Sequence, residues 1–245
     1  MLDFHSHLIP GIDDGSKDIG MSMGMLGMWK EQGFGHICAT PHFYADMMRP
    51  EHFLEKRNEA YQSLLAAINA APGGAASYPV IIPGAEVHYF RGMSSCEGIF
   101  SLCLKNTKLL LVEMPFHKWS DYMIREIAEL TSIGLIPVAA HIERYLSIQG
   151  AKTIDELLAT GILVQCNAEF FLSARTRRKA LRMISSGTVD FLGSDAHNLT
   201  TRAPNLGEAV GFITKKLGAE SLRHIEKNSA LILDAQRITL QGGAA

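Results

Sequence analysis

The sequence predicts an α/β domain in which short parallel strands alternate with helices. Seven apolar or β-branched runs are each short enough to be a buried strand, and longer stretches of helical composition lie between them. Strands that alternate with helices along a chain pair in parallel, because each helix carries the chain back to the start of the next strand. We therefore expect a parallel sheet of seven strands covered by helices.

The predicted strands follow one another at regular intervals along the chain. They are Leu2–Phe4, His36–Thr40, Val80–Pro83, Leu109–Val112, Ile136–Ala140, Ile162–Cys166 and Val189–Leu192. The predicted helices between them are Ser16–Gln32, Pro50–Ala71, Ser120–Ser132, Thr153–Ala159 and Ala174–Ser186. Residues at the boundaries support these assignments: Ser16 is a suitable N-cap for the first helix, and Gly33 is suited to end it.

The length and composition favour one domain over residues 1–245. A chain of 245 residues with 47% hydrophobic residues is long enough to bury a sizeable core. The Ala/Pro/Gly segment 70–77 is the one low-complexity patch, and it is typical of a surface loop rather than of a domain linker. A single domain is the simpler interpretation.

Charge, hydropathy and cysteine content exclude several functional classes. Lys and Arg number 23 against 25 for Asp and Glu, so we expect no stable binding of nucleic acid. No signal peptide is recognisable, and no apolar run approaches the roughly 20 residues that span a bilayer, so we expect no membrane insertion. The four cysteines form no CxxC pair, which favours a reducing cytoplasm over a disulfide framework. The sequence leaves the oligomeric state open.

Polar residues that bind metals follow almost every predicted strand. In a parallel barrel the carboxyl ends of all strands lie on one face, where the connecting loops build the active site. We therefore expect these side chains to converge, although a single histidine at a strand end is usually structural. In chain order they are His5 and His7, His42, Glu86, Glu113, His141, Asn167 and Glu169, and Asp195 and His197.

The spacing of the first and last pairs indicates a shared metal centre. His5 and His7 are two residues apart, so in an extended segment both imidazoles point to the same side, and Asp195 and His197 repeat this spacing. The set can hold two or three divalent ions. Nitrogen and oxygen ligands without thiolate suit Mn, Fe or Zn and do not choose among them. Asp14 is a further candidate ligand, with its neighbour Asp13 as the rival.

Six motifs carry a resemblance to a known family, and they cover nearly the whole chain. The sequence resembles the polymerase and histidinol phosphatase (PHP) superfamily, and within it the bacterial capsule and exopolysaccharide protein-tyrosine phosphatases. Those enzymes act on tyrosine autokinases that control polymer synthesis. The motifs are Asp3-Phe4-His5-Ser6-His7, Gly11-Ile12-Asp13-Asp14-Gly15, Thr40-Pro41-His42, Gly84-Ala85-Glu86, His141-Ile142-Glu143-Arg144-Tyr145 and Gly193-Ser194-Asp195-Ala196-His197.

The resemblance implies a fold, a cofactor and a set of site residues. It implies a distorted (β/α)7 barrel of the TIM-like type with up to three metal ions, Mn being favoured. Arg144 and Arg202 match arginines that contact the substrate phosphate in the tyrosine phosphatases. The motif after the fifth strand often contains proline where this chain has Ile142. The implied ligands are His5, His7, His42, Glu86, Glu113, His141, Asp195 and His197, with Asp14 added.

The implied reaction is hydrolysis of a phosphate monoester by a water that the metals activate, with Arg144 and Arg202 stabilising phosphoryl charge. Asp195 or a nearby histidine would protonate the leaving phenolate. A cysteine mechanism is disfavoured, because none of the four cysteines has an arginine six residues further on. The sequence leaves open a small-molecule phosphatase such as a histidinol phosphatase, a PHP nuclease, and a non-catalytic metal-binding regulatory module. The expected partner is the phosphotyrosine tail of a tyrosine autokinase.

Overall fold

The strands of the protein form a curled parallel sheet in the computed structural model, which describes residues 1–242. All seven predicted strands are present, and every strand pairing is parallel. The last three residues of the predicted domain, 243–245, lie outside the described residues. The strands are β1 (Leu2–Asp3), β2 (His36–Ala39), β3 (His42–Phe43), β4 (Val80–Pro83), β5 (Glu86–His88), β6 (Leu109–Glu113), β7 (Ile136–Ala139), β8 (Leu163–Asn167) and β9 (Phe191–Gly193).

The two strands that the sequence did not predict, β3 and β5, continue β2 and β4 after a short break. Pro41 interrupts the first of these pairs, since proline has no N–H to donate to a neighbouring strand. The ladder nevertheless runs through both breaks, because Gly84 N donates to Ala39 O at 2.8 Å and Glu86 N donates to Pro41 O at 3.0 Å. The breaks let His42 and Glu86 begin new strands at the carboxyl ends of the preceding ones.

Backbone hydrogen bonds between the first and the last strand close the curl. Phe4 N donates to Leu192 O at 3.1 Å, and Asp195 N donates to His5 O at 2.8 Å. Beyond β1, Ser6 forms an isolated parallel bridge with Ala196. The segments that carry the two histidine motifs therefore lie side by side, although nearly two hundred residues separate them in sequence.

The helices cover the outside of the sheet. The first helix begins at Ile19, not at the predicted Ser16, because the Asp18 side chain accepts a hydrogen bond from Met21 N at 2.8 Å and serves as the N-cap. Among the described residues no helix is both long and apolar enough to cross a membrane. The helices are α1 (Ile19–Glu31), α2 (Pro50–Ala70), α3 (Asp121–Ser132), α4 (Ala151–Leu158), α5 (Ala168–Leu172), α6 (Arg177–Ser185), α7 (Leu206–Leu217) and α8 (Arg223–Gly242).

Two apolar clusters support the strand ends. The larger cluster packs helices such as α1, through the buried ring of Trp29, against the outside of the sheet. The smaller one comes mainly from strand residues, and within it the rings of Phe4 and Phe191 stack at 4.0 Å. Because strand side chains alternate between two faces, this second cluster fills the interior of the curl. The polar residues that follow the strands thus rest on a packed base.

Candidate metal centre

The structure brings the eight predicted strand-end ligands together at one end of the sheet. Each lies at or just after the carboxyl end of a strand, or begins one of the two short continuing strands. All are almost fully buried except His42, whose side chain is 14% exposed. Burial of so many ionisable groups is costly unless they pair with each other or with metal ions.

Glu86 lies at the middle of the cluster. Its Oε2 atom is 3.2 Å from Nε2 of His5 and 3.3 Å from Nε2 of His7, and it is 3.0 Å from Nδ1 of His42. Its Oε1 atom is 2.9 Å from Nε2 of His141. One carboxylate therefore contacts four imidazoles that come from three different segments of the chain.

Asp14 and Asp13 occupy different places, although the sequence could not choose between them. Oδ1 of Asp14 is 3.3 Å from Nε2 of His197 and 3.6 Å from Nε2 of His42, so this carboxylate borders the cluster. Asp13 contacts the back of the cluster: its Oδ2 is 2.6 Å from Nδ1 of His7 and accepts a hydrogen bond from His42 N. Asp13 thus orients histidines, while Asp14 offers its oxygens to the centre.

Asp195 joins the cluster to both predicted arginines. Its Oδ1 atom is 3.4 Å from Nε2 of His7 and 2.8 Å from the Arg202 guanidinium, and its Oδ2 contacts the guanidinium of Arg144. The Asn167 amide donates to the same Oδ2 at 2.9 Å. The arginine side chains remain 35% and 38% exposed, so both reach from the buried carboxylate to solvent.

Three overlapping sets of side chains present donor atoms that all lie within 4.8 Å of one another in each set. Two nitrogens bound to one ion at 2.0–2.1 Å in a tetrahedral arrangement lie roughly 3.4 Å apart. The contacts around Glu86 and the 3.2 Å between the Nε2 atoms of His5 and His7 are close to that spacing. The sets are His7, Asp14, His42 and His197; His5, His7 and Glu86; and His42, Glu86 and Glu113.

Unsatisfied buried atoms show that these residues suit metal ions. Within the described part of the chain, Nδ1 of His42, Oε2 of Glu86 and Nε2 of His197 are buried and have no hydrogen-bond partner. A buried polar atom without a partner costs about 1–3 kcal/mol, and all three of these atoms belong to residues of the cluster. Divalent cations would satisfy all three, so the donor set and its geometry fit metals.

The electrostatics lower the pKa of Glu86 and raise the pKa values of three histidines of the cluster, His7, His42 and His141. Burial alone would raise the pKa of Glu86, but His5 and its neighbours hold that pKa well below its usual value. Burial alone would lower the pKa of His141, yet hydrogen bonds to Glu113 and Glu86 raise it to about 9. Burial lowers the pKa of His197 to about 4. At neutral pH, a metal ion that bound here would therefore displace a proton from His141 and none from His197.

The backbone is strained at two of the predicted ligands. His141 has a φ of 33° and Asp195 a φ of 53°, and both therefore lie in the left-handed region that residues with a Cβ rarely adopt. Such conformations cost of order 1–3 kcal/mol and persist only where the surroundings enforce them. Here the strain turns both side chains toward the cluster immediately after their strands end.

Several residues of the centre were not predicted as part of it. Gln165, inside β8, accepts a hydrogen bond from His141 N at 2.7 Å, and its Oε1 lies 3.2 Å from Nδ1 of His5. Asp3, inside β1, accepts from Ser194 N and from the Trp29 indole. A polar residue within an otherwise apolar strand was the available signal in both cases. His88 was not among the predicted ligands either, and its Nδ1 lies 3.0 Å from Oε2 of Glu113.

The cysteines lie apart from this chemistry. Cys38, Cys103 and Cys166 are buried, and burial raises the pKa of each thiol, that of Cys103 to about 12. A thiol needs a lowered pKa to act as a nucleophile at neutral pH. The prediction against a cysteine mechanism agrees with these environments.

Comparison with known proteins gives the family. A model of the family described as capsular polysaccharide synthesis, CpsB/CapC, matches residues 1–234. The chain belongs to the CpsB/CapC family. Its relatives include the tyrosine-protein phosphatase CpsB of Streptococcus agalactiae, which is 29% identical over 97% of this chain and 98% of the relative. The tyrosine-protein phosphatase YwqE of Bacillus subtilis is 27% identical over 98% of this chain and 94% of its own.

A solved structure agrees with the CpsB/CapC assignment. Crystal structures of YwqE from Bacillus subtilis and CpsB from Streptococcus pneumoniae, called unique metal-dependent tyrosine phosphatases, include a chain that superposes with a TM-score of 0.80. That chain is 25% identical, and the match covers 96% of this chain and 95% of the other. The resemblance stated from the motifs is confirmed at the level of the family.

Proposed function

We propose that this protein is a metal-dependent phosphatase that hydrolyses phosphotyrosine on a tyrosine autokinase of capsule or exopolysaccharide synthesis. The observation that carries the proposal is the buried cluster around Glu86, bordered by two arginines that meet at Asp195. The CpsB/CapC family and its tyrosine-phosphatase relatives supply the substrate class. We also propose that the fold is a distorted (β/α)7 barrel, with β2 and β3 counted as one unit and β4 and β5 as another.

The residues of the cluster would hold two or three divalent ions, of which we favour Mn. They are His5, His7, Asp14, His42, Glu86, Glu113, His141, Asp195 and His197. Metals held there would supply Lewis-acid chemistry toward the phosphoryl group and toward an attacking water. Four cysteines without a disulfide among them support a cytoplasmic location.

Arg144 and Arg202 would bind the phosphate. Each offers a planar fork of N–H donors, which matches phosphoryl oxygens and stabilises the charge that develops on them. Asp195 positions both forks. Burial alone would raise the pKa of Asp195, but His5 and His7 hold it well below its usual value. Asp195 is therefore a ligand and a positioning group in our proposal, and the proton for the leaving phenolate comes from another group.

The test combines metal removal with a substrate panel. We expect a chelator to abolish hydrolysis of a phosphotyrosine peptide and Mn to restore it, with metal content measured by elemental analysis in each state. Histidinol phosphate serves as the competing substrate. Full activity in metal-free protein would overturn the proposal, and faster turnover of histidinol phosphate would replace the substrate.

Two matched histidine variants test whether activity depends on the cluster. His141→Asn should lower activity roughly a hundredfold or more in a protein that still folds, since it removes a ligand rather than a group that orients one. His52→Asn is the control, because that histidine is 57% exposed on α2 and pairs only with Glu55 among the described residues. Equal activity of the two variants would contradict the assignment.

A further inference from the structure

Phe116 is a half-exposed aromatic side chain at the edge of the metal centre. It lies in the loop 114–120 that follows β6, and its ring centroid is 6.1 Å from that of His141, with the two planes 16° apart. It also contacts Tyr145 at 5.4 Å. The side chain nevertheless remains 51% exposed. An apolar ring therefore contacts a proposed metal ligand while much of its surface faces solvent.

The loop around Phe116 is firmly braced. The buried Trp119 donates from its indole to Pro115 O at 2.9 Å, and its backbone N–H donates to the Gln149 side chain at 3.2 Å. Gln149 in turn donates to His117 O at 2.7 Å. These bonds fix the backbone on both sides of Phe116. The ring is thus held outward by an ordered loop.

We propose that Phe116 packs against the aromatic ring of the substrate and selects aryl over alkyl phosphate esters. This inference rests on the proposed function and assigns a substrate preference to the same site. Aromatic rings associate with centroids 4.5–7 Å apart in offset or edge-to-face arrangements. A phosphoryl group bound by Arg144, in the turn directly after His141, would bring the ester substituent beside Phe116.

The chemistry of the substituent decides which esters gain from this contact. Phosphotyrosine carries a rigid ring directly on the ester oxygen, so the ring reaches the position beside Phe116 whenever the phosphate is bound. Phosphoserine and histidinol phosphate have a methylene at that position, which offers little surface to an aromatic side chain. Because the loop is already ordered, binding the ring would cost little conformational entropy.

The test measures binding as well as turnover in the Mn-loaded protein. Two peptides of the same sequence carry either an aryl phosphonate or an alkyl phosphonate, and their inhibition constants are compared for the wild type, Phe116→Leu and Phe116→Tyr. Phe100→Leu is the matched control, since Phe100 is also 51% exposed but lies in a separate short helix, Ile99–Leu102.

We expect Phe116→Leu to weaken the aryl phosphonate roughly two- to tenfold, the range of one aromatic pair, and to leave the alkyl phosphonate unchanged. KM for a phosphotyrosine peptide should rise by the same factor with kcat unchanged, and Phe116→Tyr should restore wild-type values. Equal effects on both phosphonates, or no effect on either, would overturn the inference alone. A wild type that hydrolyses no phosphotyrosine would overturn the proposed function and the inference with it.

Discussion

Asp13→Asn tests whether a carboxylate outside the ligand set controls the metal centre. The Asp13 side chain is only 5% exposed, and its two oxygens accept from three donors: Nδ1 of His7 and His42 N on one side, and Gly15 N on the other. Asparagine keeps the shape but replaces one oxygen with an NH2 group. In either orientation of the amide, its NH2 group faces a backbone N–H, that of His42 or of Gly15, which then has no acceptor.

The magnitude follows from these contacts. If the amide nitrogen faces His7, the imidazole must accept at Nδ1 and carry its proton on Nε2, the atom that faces Glu86. If it faces Gly15, His7 keeps its tautomer but loses the charge that orients it. Changes to groups that orient a ligand typically cost 10- to 100-fold in metal affinity, or about 1.4–2.8 kcal/mol. The unpaired N–H adds a destabilisation of about 1–3 kcal/mol.

The assay is titration of the metal-free protein with Mn by calorimetry, together with urea denaturation of the same preparation. Asp155→Asn, on the exposed side of α4, is the control and should match the wild type in both measurements. Mn affinity within twofold of the wild type for Asp13→Asn would refute the reasoning. Lower stability with unchanged affinity would show that Asp13 supports the loop and not the ligands.

Three further predictions concern His141, Asp3 and Gly193. Because the pKa of His141 is raised to about 9, Mn binding should release protons, and the affinity of the protein for Mn should rise with pH up to about 9. Calorimetry in buffers of different ionisation enthalpy measures the proton release, and its absence would contradict the prediction. Asp3→Asn should destabilise the protein by about 1–3 kcal/mol in urea denaturation, because both carboxylate oxygens accept from N–H donors, including the Trp29 indole; an unchanged midpoint would count against this. Gly193→Ala should destabilise the fold and weaken metal binding, since a Cβ there would lie 3.1 Å from the backbone N of His5. Gly211→Ala is the control, because Gly211 has open space around it on α7, and this change should be neutral or stabilising by up to about 1 kcal/mol. Thermal denaturation of the two variants checks this prediction.

The sequence alone was sufficient to predict the seven main strands and the convergence of their carboxyl ends. The reason is geometric: when strands are parallel, all carboxyl ends lie together, so residues such as His42 and His141 can be grouped without knowledge of the fold's details. Strand breaks were not predictable in the same way. Glu86 was recognised as following a strand, but the short strand that it begins depends on pairing with β3 and β6, which is a tertiary contact.

Local rules failed where tertiary contacts compete with them. Ser16 has the side chain of an N-cap, but its hydroxyl bonds to Ser22 and to Asp18 O, so Asp18 caps the helix instead. The division of roles between Asp13 and Asp14 likewise depends on which carboxylate faces His7, and neighbouring residues of the same type are equivalent in a sequence pattern. Gln165 was missed because its contacts with His5 and His141 join segments that are far apart in the sequence.

The backbone hydrogen bonds between the first and the last strand also determine when the candidate metal centre can assemble during folding. His5 and His7 leave the ribosome almost two hundred residues before Asp195, His197 and Arg202. A contact of such long sequence separation forms late in folding, because the chain must close a very large loop. The nascent chain therefore cannot bring all of the proposed ligands to a metal ion until Asp195 and His197 have been synthesised. The choice among metal ions is therefore made by the folded protein.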